Sequence, residues 1–113
     1  KEIGLERESL RAALQRAAIL SNEKYRGVKL EVNPGKLRIV AHNPEQEEAV
    51  EELEAETGVS DLAVGFNVNY LMDALAALHS DKVRLNLRDA QSSCLVRGAD
   101  DEHAQHVVMP LRL

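Results

Sequence analysis

The residues with most chemical potential lie near the carboxyl end. His103 and His106 stand three apart, beside Asp100, Asp101 and Glu102, donor types that hold divalent cations. A metal centre needs a closed ligand set in fixed geometry, and two histidines in a polar stretch read first as a solvated hairpin loop. Cys94 is the one thiol. A nucleophilic cysteine needs a neighbouring base or cation to lower its pKa, whereas Cys94 is followed by Leu95 and has no motif around it, so a buried structural thiol is expected. The stretch Glu45–Glu56 holds seven glutamates and no basic residue. Carboxylates do acid–base work only when paired in a pocket, and a charge run is ordinarily a solvated face. Gly4, Gly27, Gly35, Gly58, Gly65 and Gly98 are scattered, so no phosphate-cradling loop is present. An enzyme has no positive support, and neither cofactor nor metal is expected.

The terminus Val107-Val108-Met109-Pro110-Leu111-Arg112-Leu113 offers different chemistry. Methionine is unbranched and polarizable, proline is stiff, and together they make an adaptable apolar surface for a peptide. Alternation alone leaves open that Val107 or Met109 is a core residue of a final strand. Pro110–Leu113 is too short and too terminal for a core, which favours a surface site.

The elements that must carry these groups follow from periodicity. Leu10, Ala13, Leu14, Ala17 and Ala18 form one apolar stripe, predicting a helix over Glu8–Leu20 with Arg11 and Gln15 off the stripe. Val28, Leu30 and Val32 alternate with Lys29 and Glu31 as a half-buried strand. Asn33-Pro34-Gly35-Lys36 supplies proline and then glycine for a type II turn, and Leu37, Ile39 and Ala41 complete a hairpin. Glu45–Ala55 is ambiguous: Asn43 suits an N-cap and Pro44 a first helical position, which favours a helix, but propensity is a weak prior that strand pairing can override. Leu62, Val64 and Phe66 predict a strand, Asn67 caps a helix over Val68–Leu78, and Val83, Leu85 and Leu87 predict another strand. Cys94–Arg97 is read as a short strand, Gly98–Gln105 as a polar loop, and His106–Pro110 as the last strand. The strand–helix–strands order thus occurs twice, before and after about residue 55, an internal repeat. Two helices cannot cover both faces of so many strands, so the fold class is α+β, with both helices on one side of antiparallel sheets.

At 113 residues the chain is one domain, 44% hydrophobic and 29% charged. One cysteine excludes an internal disulfide, and a reducing cytoplasmic setting is expected. No stretch is apolar for long enough to cross a bilayer as a helix. Acids outnumber bases nineteen to fourteen, which argues against binding nucleic acid by charge alone. Residues 1–40 are nonetheless richer in bases than acids, so an acidic patch on a basic remainder suggests a protein partner. The chain opens on Lys1 in mid-pattern, and is expected to be part of a longer protein.

Three segments resemble one family. Arg16-Ala17-Ala18-Ile19-Leu20-Ser21-Asn22-Glu23-Lys24-Tyr25-Arg26-Gly27-Val28 is similar to the first helix and next strand of the third, C-terminal domain of the bacterial DNA polymerase III beta subunit, the sliding clamp. Asn43-Pro44-Glu45-Gln46-Glu47-Glu48-Ala49 resembles its acidic interface segment, and Gly65-Phe66-Asn67-Val68-Asn69-Tyr70 with Val107–Leu113 its partner-binding elements. The resemblance spans the chain. It implies a repeated βαβββ unit, one sixth of a head-to-tail homodimeric ring that encloses duplex DNA, with no catalysis.

Three roles are implied by it. Tyr25, Asn67, Tyr70, Gln91, Ser93, Val107, Val108, Met109, Pro110, Leu111 and Arg112 match the wall of a cleft that binds short, partly apolar peptides of polymerases, the clamp loader and repair proteins. Gln91 stands where the family often has an apolar residue, which makes the rim more polar. Ile19, Leu20, Glu45, Glu47, Glu48 and Glu51 match the seam, where the acidic segment is an edge strand, not a helix. Arg11, Arg16, Lys24 and Arg26 are the DNA-facing candidates. A stand-alone ligand-binding or regulatory α+β domain, sharing the repeat by convergence, is the alternative.

Overall fold

The computed structural model describes residues 2–20, 27–42, 47–88 and 93–111, without the side chains of residues 101–104. Two antiparallel sheets arise from alternation. Strands β1 (Glu2–Glu6), β6 (Lys82–Asn86), β7 (Cys94–Gly98) and β8 (Asp101–Val108) form one, in the order β1-β6-β7-β8. The other contains β2 (Gly27–Asn33), β3 (Lys36–His42), β4 (Glu48–Glu54), β5 (Leu62–Asn67) and β9 (Pro110–Leu111), in the order β4-β3-β2-β5-β9.

The helices α1 (Arg7–Leu20) and α2 (Val68–Ala76) pack on each other, α1 also against β1, β3 and β4, and α2 against β5 and β8. Their buried stripes, Leu10, Ala13, Leu14 and Ala17 on α1 and Val68, Leu71, Ala74 and Leu75 on α2, meet the inward residues of both sheets. One core results, in which Phe66 is the largest fully buried side chain. The α+β class and the one-sided placement of the helices agree with expectation.

The β2–β3 hairpin forms where Pro34 and Gly35 required it, and Gly35 has φ 75°, the left-handed value a type II turn demands. The Glu45–Ala55 ambiguity resolves to strand β4, paired with β3 from Glu48 opposite His42 to Glu54 opposite Lys36. Ala49, Glu51 and Leu53 are half-buried and alternate with exposed Glu48, Glu52 and Glu54, so pairing and burial against α1 outweigh helix propensity.

Two expectations fail. The stretch Gly98–Gln105 is not a polar loop, because the chain turns at Ala99 and Asp100 and strand β8 begins at Asp101. Nor does one strand run His106–Pro110: β8 ends at Val108, and beyond Met109 the chain joins the other sheet as β9. Helix α2 ends at Ala76, short of Leu78, which is buried all the same.

Candidate peptide-binding site

The geometry at the carboxyl end is set by β5. Antiparallel register places Pro110 opposite Phe66 and Leu111 opposite Gly65, so the terminal strand lies along β5 where that strand becomes α2. Asn67 ends β5, pairs with Gly27 of β2, and caps α2: its Oδ1 accepts the Asn69 N–H at 2.9 Å. Its φ and ψ of −75° and 121° are the extended values an N-cap needs. Tyr70 stands in the first helical turn with 58% of its surface exposed. Neither the Asn67 amide nitrogen nor the Tyr70 hydroxyl has a hydrogen-bond partner among the described residues.

Met109 and Val107 are 65% and 64% exposed, large values for apolar side chains, and Leu111 is exposed too. Val107 lies opposite Leu95 on β7, on the face away from the core. Val108 departs from the other candidates. It is 4% exposed, opposite Cys94, and packs inward, as alternation along β8 dictates once Val107 faces out. Ser93, just before β7, is exposed. Tyr25, Gln91 and Arg112 lie outside the described residues.

Met109 and Leu111 thus offer apolar surface at the end of β5 where Asn67 and Tyr70 begin α2, two polar tips without a partner among the described residues. Such a shelf suits a short peptide, with apolar side chains on the methionine and a backbone group on Asn67 or Tyr70. Burial pushes the Cys94 thiol up to about 12, which leaves it protonated and inert. No cluster of three or more potential metal ligands occurs among the described residues, and the His103 side chain is not among them.

The seam candidates gather elsewhere. Ile19 lies in the last turn of α1 at 81% exposure, Leu20 beside it is half-buried, and β4 is the outer strand of its sheet. Glu48 and Glu51 behave differently. Glu48 is exposed and meets His42 Nε2 at 2.8 Å, whereas Glu51 turns toward α1 and accepts from Arg16 Nε at 2.7 Å. Glu47 is exposed, and Glu45 lies outside the described residues. Of the DNA-facing candidates, Arg11 is held by Glu8 at 2.6 Å and by Gln15 at 3.2 Å, and Arg16 by Glu51. Lys24 and Arg26 lie outside the described residues. Sequence reasoning missed the Arg16–Glu51 link, which only the pairing of β4 with β3 beneath α1 brings together.

Comparison with known proteins agrees with the fold. A family model for the C-terminal domain of the DNA polymerase III beta subunit matches residues 1–112. The beta sliding clamp of Pseudomonas aeruginosa is 51% identical over 108 residues, 96% of this chain and 29% of that protein. The beta sliding clamp of Escherichia coli K12 is 49% identical over 104 residues, 92% of this chain and 28% of that protein. A crystal structure of the P. aeruginosa DNA polymerase sliding clamp superposes with a TM-score of 0.96 at 50% identity, covering 100% of this chain and 31% of that one. The chain therefore spans under a third of the length of the curated relatives it matches.

Proposed function

This chain belongs to the family formed by the C-terminal domain of the DNA polymerase III beta subunit, and on that premise we propose that it is the third domain of a sliding clamp, a DNA replication processivity factor. In this reading two domains precede it. Two such subunits join head to tail into a cytoplasmic, nucleoid-associated ring around duplex DNA, and the ring tethers polymerase subunits, the clamp loader and repair polymerases. It works through protein contacts and not catalysis.

The observation that carries the reading is the exposed apolar end of the chain. Met109 and Leu111 are presented beside the strand end that carries Asn67 and Tyr70, whose polar tips have no partner among the described residues. A partner peptide settles on that shelf, its apolar side chains against Met109, Pro110 and Leu111, its polar groups on Asn67, Tyr70 and Arg112. Tyr25, Gln91, Ser93 and Val107 complete the wall, with Val108 beneath it as support. The preceding domain supplies the other wall, so the isolated domain binds less tightly than the whole subunit. Each ~1.4 kcal/mol of lost contact is tenfold in affinity.

The seam is formed by Ile19 and Leu20 as the apolar contact and by Glu45, Glu47 and Glu48 along the open edge of β4, facing a basic edge of the next subunit. Glutamates on that edge also discourage pairing with a wrong strand. Glu51 acts within the domain, tying β4 to α1 through Arg16. Arg11 and Arg16 face the DNA already engaged with glutamates, which keeps phosphate attraction weak and suits a ring that must slide.

Titration of a fluorescent clamp-binding peptide against the three-domain protein, with and without Met109–Leu113, tests the reading. Binding is expected only with the terminus intact. Equal binding by both forms, or none by either, rejects it.

A further inference from the structure

Val107 has a neighbour of its own kind on the next strand. Alternation turns Cys94 and Val108 inward and leaves Leu95 and Val107 opposite each other on the outer face of the four-stranded sheet. Val107 is exposed and Leu95 half-buried, so apolar surface that begins two residues before Met109 extends from β8 onto β7. Two residues further along β7, on the same face, stands Arg97, opposite Gln105 on one side and Arg84 on the other. At about 3.3 Å per residue, Arg97 lies roughly 7 Å beyond Leu95, the spacing of alternate side chains in an extended peptide.

Two guanidinium groups meet one carboxylate on this face. Glu2 accepts from Arg84 Nη1 and, at 3.3 Å, from Arg97 Nη2. The Arg97 side chain has no other hydrogen bond or ion pair among the described residues. Toward the far edge Lys82 is matched by Glu6 opposite it and by Glu56, so the positive surplus is confined to the β6–β7 side, at Arg97. Its side chain is 16% exposed, mostly covered yet still open to solvent. A guanidinium so placed holds a carboxylate more firmly than one surrounded by water.

We propose that Arg97 sets a charge preference for the partner peptide: a peptide seated on the C-terminal shelf continues across the outer face of β8 and β7, laying an aliphatic side chain over Val107 and Leu95 and an acidic one on Arg97. This rests on the shelf reading above and adds to it the identity of a flanking residue. The occupant is selected by two features of the face. Its apolar part starts at Val107, in the same terminal segment as Met109, so the chain that fills the shelf is the one at hand to cover it. Its charged end carries a surplus cation, whose planar fork matches a carboxylate. Nucleic acid is disfavoured, because one surplus cation beside Glu2 and two aliphatic side chains neutralises too few phosphates.

Fluorescence anisotropy on the three-domain protein tests this with two labelled forms of one short, partly apolar polymerase peptide. Each is extended at both ends by a leucine and then, outermost, by aspartate in one form and asparagine in the other. The aspartate form is expected to bind about threefold tighter or more. Arg97→Gln should abolish that preference and leave the asparagine form unchanged, which also shows the variant to be folded, because the Arg84–Glu2 pair is kept. Arg97→Lys should restore part of it, supplying the charge without the fork. Equal binding of the two forms by the parent, a preference that survives Arg97→Gln, or equal weakening of both forms by that variant overturns the proposal and leaves the shelf standing. Failure of both forms to bind the parent rejects the shelf, and this proposal with it.

Discussion

Asn67 is the residue at which fold and function can be separated most cleanly. Its Oδ1 accepts the Asn69 N–H at 2.9 Å, a good cap distance, while its amide nitrogen has no partner among the described residues. Helix α2 has nine residues and no acidic side chain in its first turn, so the Asn67 side chain is the main device satisfying that end. Replacing an N-cap asparagine by alanine costs about 1 kcal/mol, within a range of about 0.5–2. With an unfolding entropy near 2.1 cal/mol/K per residue, a 113-residue domain loses about 4 °C in Tm for each 1 kcal/mol. Asn67→Asp keeps an acceptor for the same N–H and adds a negative charge where the helix dipole favours one. Thermal or urea unfolding should therefore show Asn67→Ala destabilised by about 1 kcal/mol and Asn67→Asp near the parent. Peptide affinity should divide the variants differently, since both lack the amide N–H donor. Each should bind more weakly by about 0.5–1.5 kcal/mol, or roughly two- to twelvefold. If Asn67→Asp were as unstable as Asn67→Ala, the cap argument would be wrong. If it bound peptide like the parent, Asn67 would be a capping residue and nothing more.

Other consequences follow from the packing and the titrating groups. At Gly98 an added methyl would fall on Ser80 Oγ, so Gly98→Ala should cost about 1–3 kcal/mol in chemical denaturation, and Ser80→Gly in the same chain should recover most of it. Burial raises the Cys94 thiol from 9.0 to about 12. The unfolded chain therefore loses this proton first, and the contribution to stability, complete below pH 9, should fall by about 1.4 kcal/mol per pH unit between the two values. Denaturation of the parent and of Cys94→Ala across that window should converge as pH rises. Glu2 is held below the usual carboxylate range, first by its hydrogen bond from Arg84, with the charges of Arg84 and Arg97 adding to it. Its stabilising effect is present above pH 4.5 and disappears as the pH falls through the lowered value, so the small stability difference between parent and Glu2→Gln should vanish in acid and shrink in high salt.

Local chemistry made some of this structure legible in advance. Pro34-Gly35 left one choice of turn, and Asn67 before an apolar stripe announced a capped helix; both are present. The family resemblance, not periodicity, settled β4 as a strand. Glutamate and alanine favour helix locally, and the opposing factor is the pairing of β4 with β3, a contact distant in sequence. Strand β8 was invisible between Asp101 and Gln105 because it is the outer strand of its sheet, where polar residues hide the alternation. The inward set was still present: His106 continues the row of Ile3, Leu85 and Val96, and Val108 pairs with Cys94. That alternation would have assigned Val108 to the core and Val107 to the surface.

The central claim is that the carboxyl terminus is a surface for partner peptides beside the start of α2. Amide chemical-shift mapping of the domain during titration with a short, partly apolar polymerase peptide tests it most directly. Shifts are predicted at Asn67, Tyr70, Val107, Met109 and Leu111, with Ile19 and Glu48 left still. A saturating peptide that moves the β4 resonances and leaves those five unchanged would contradict it.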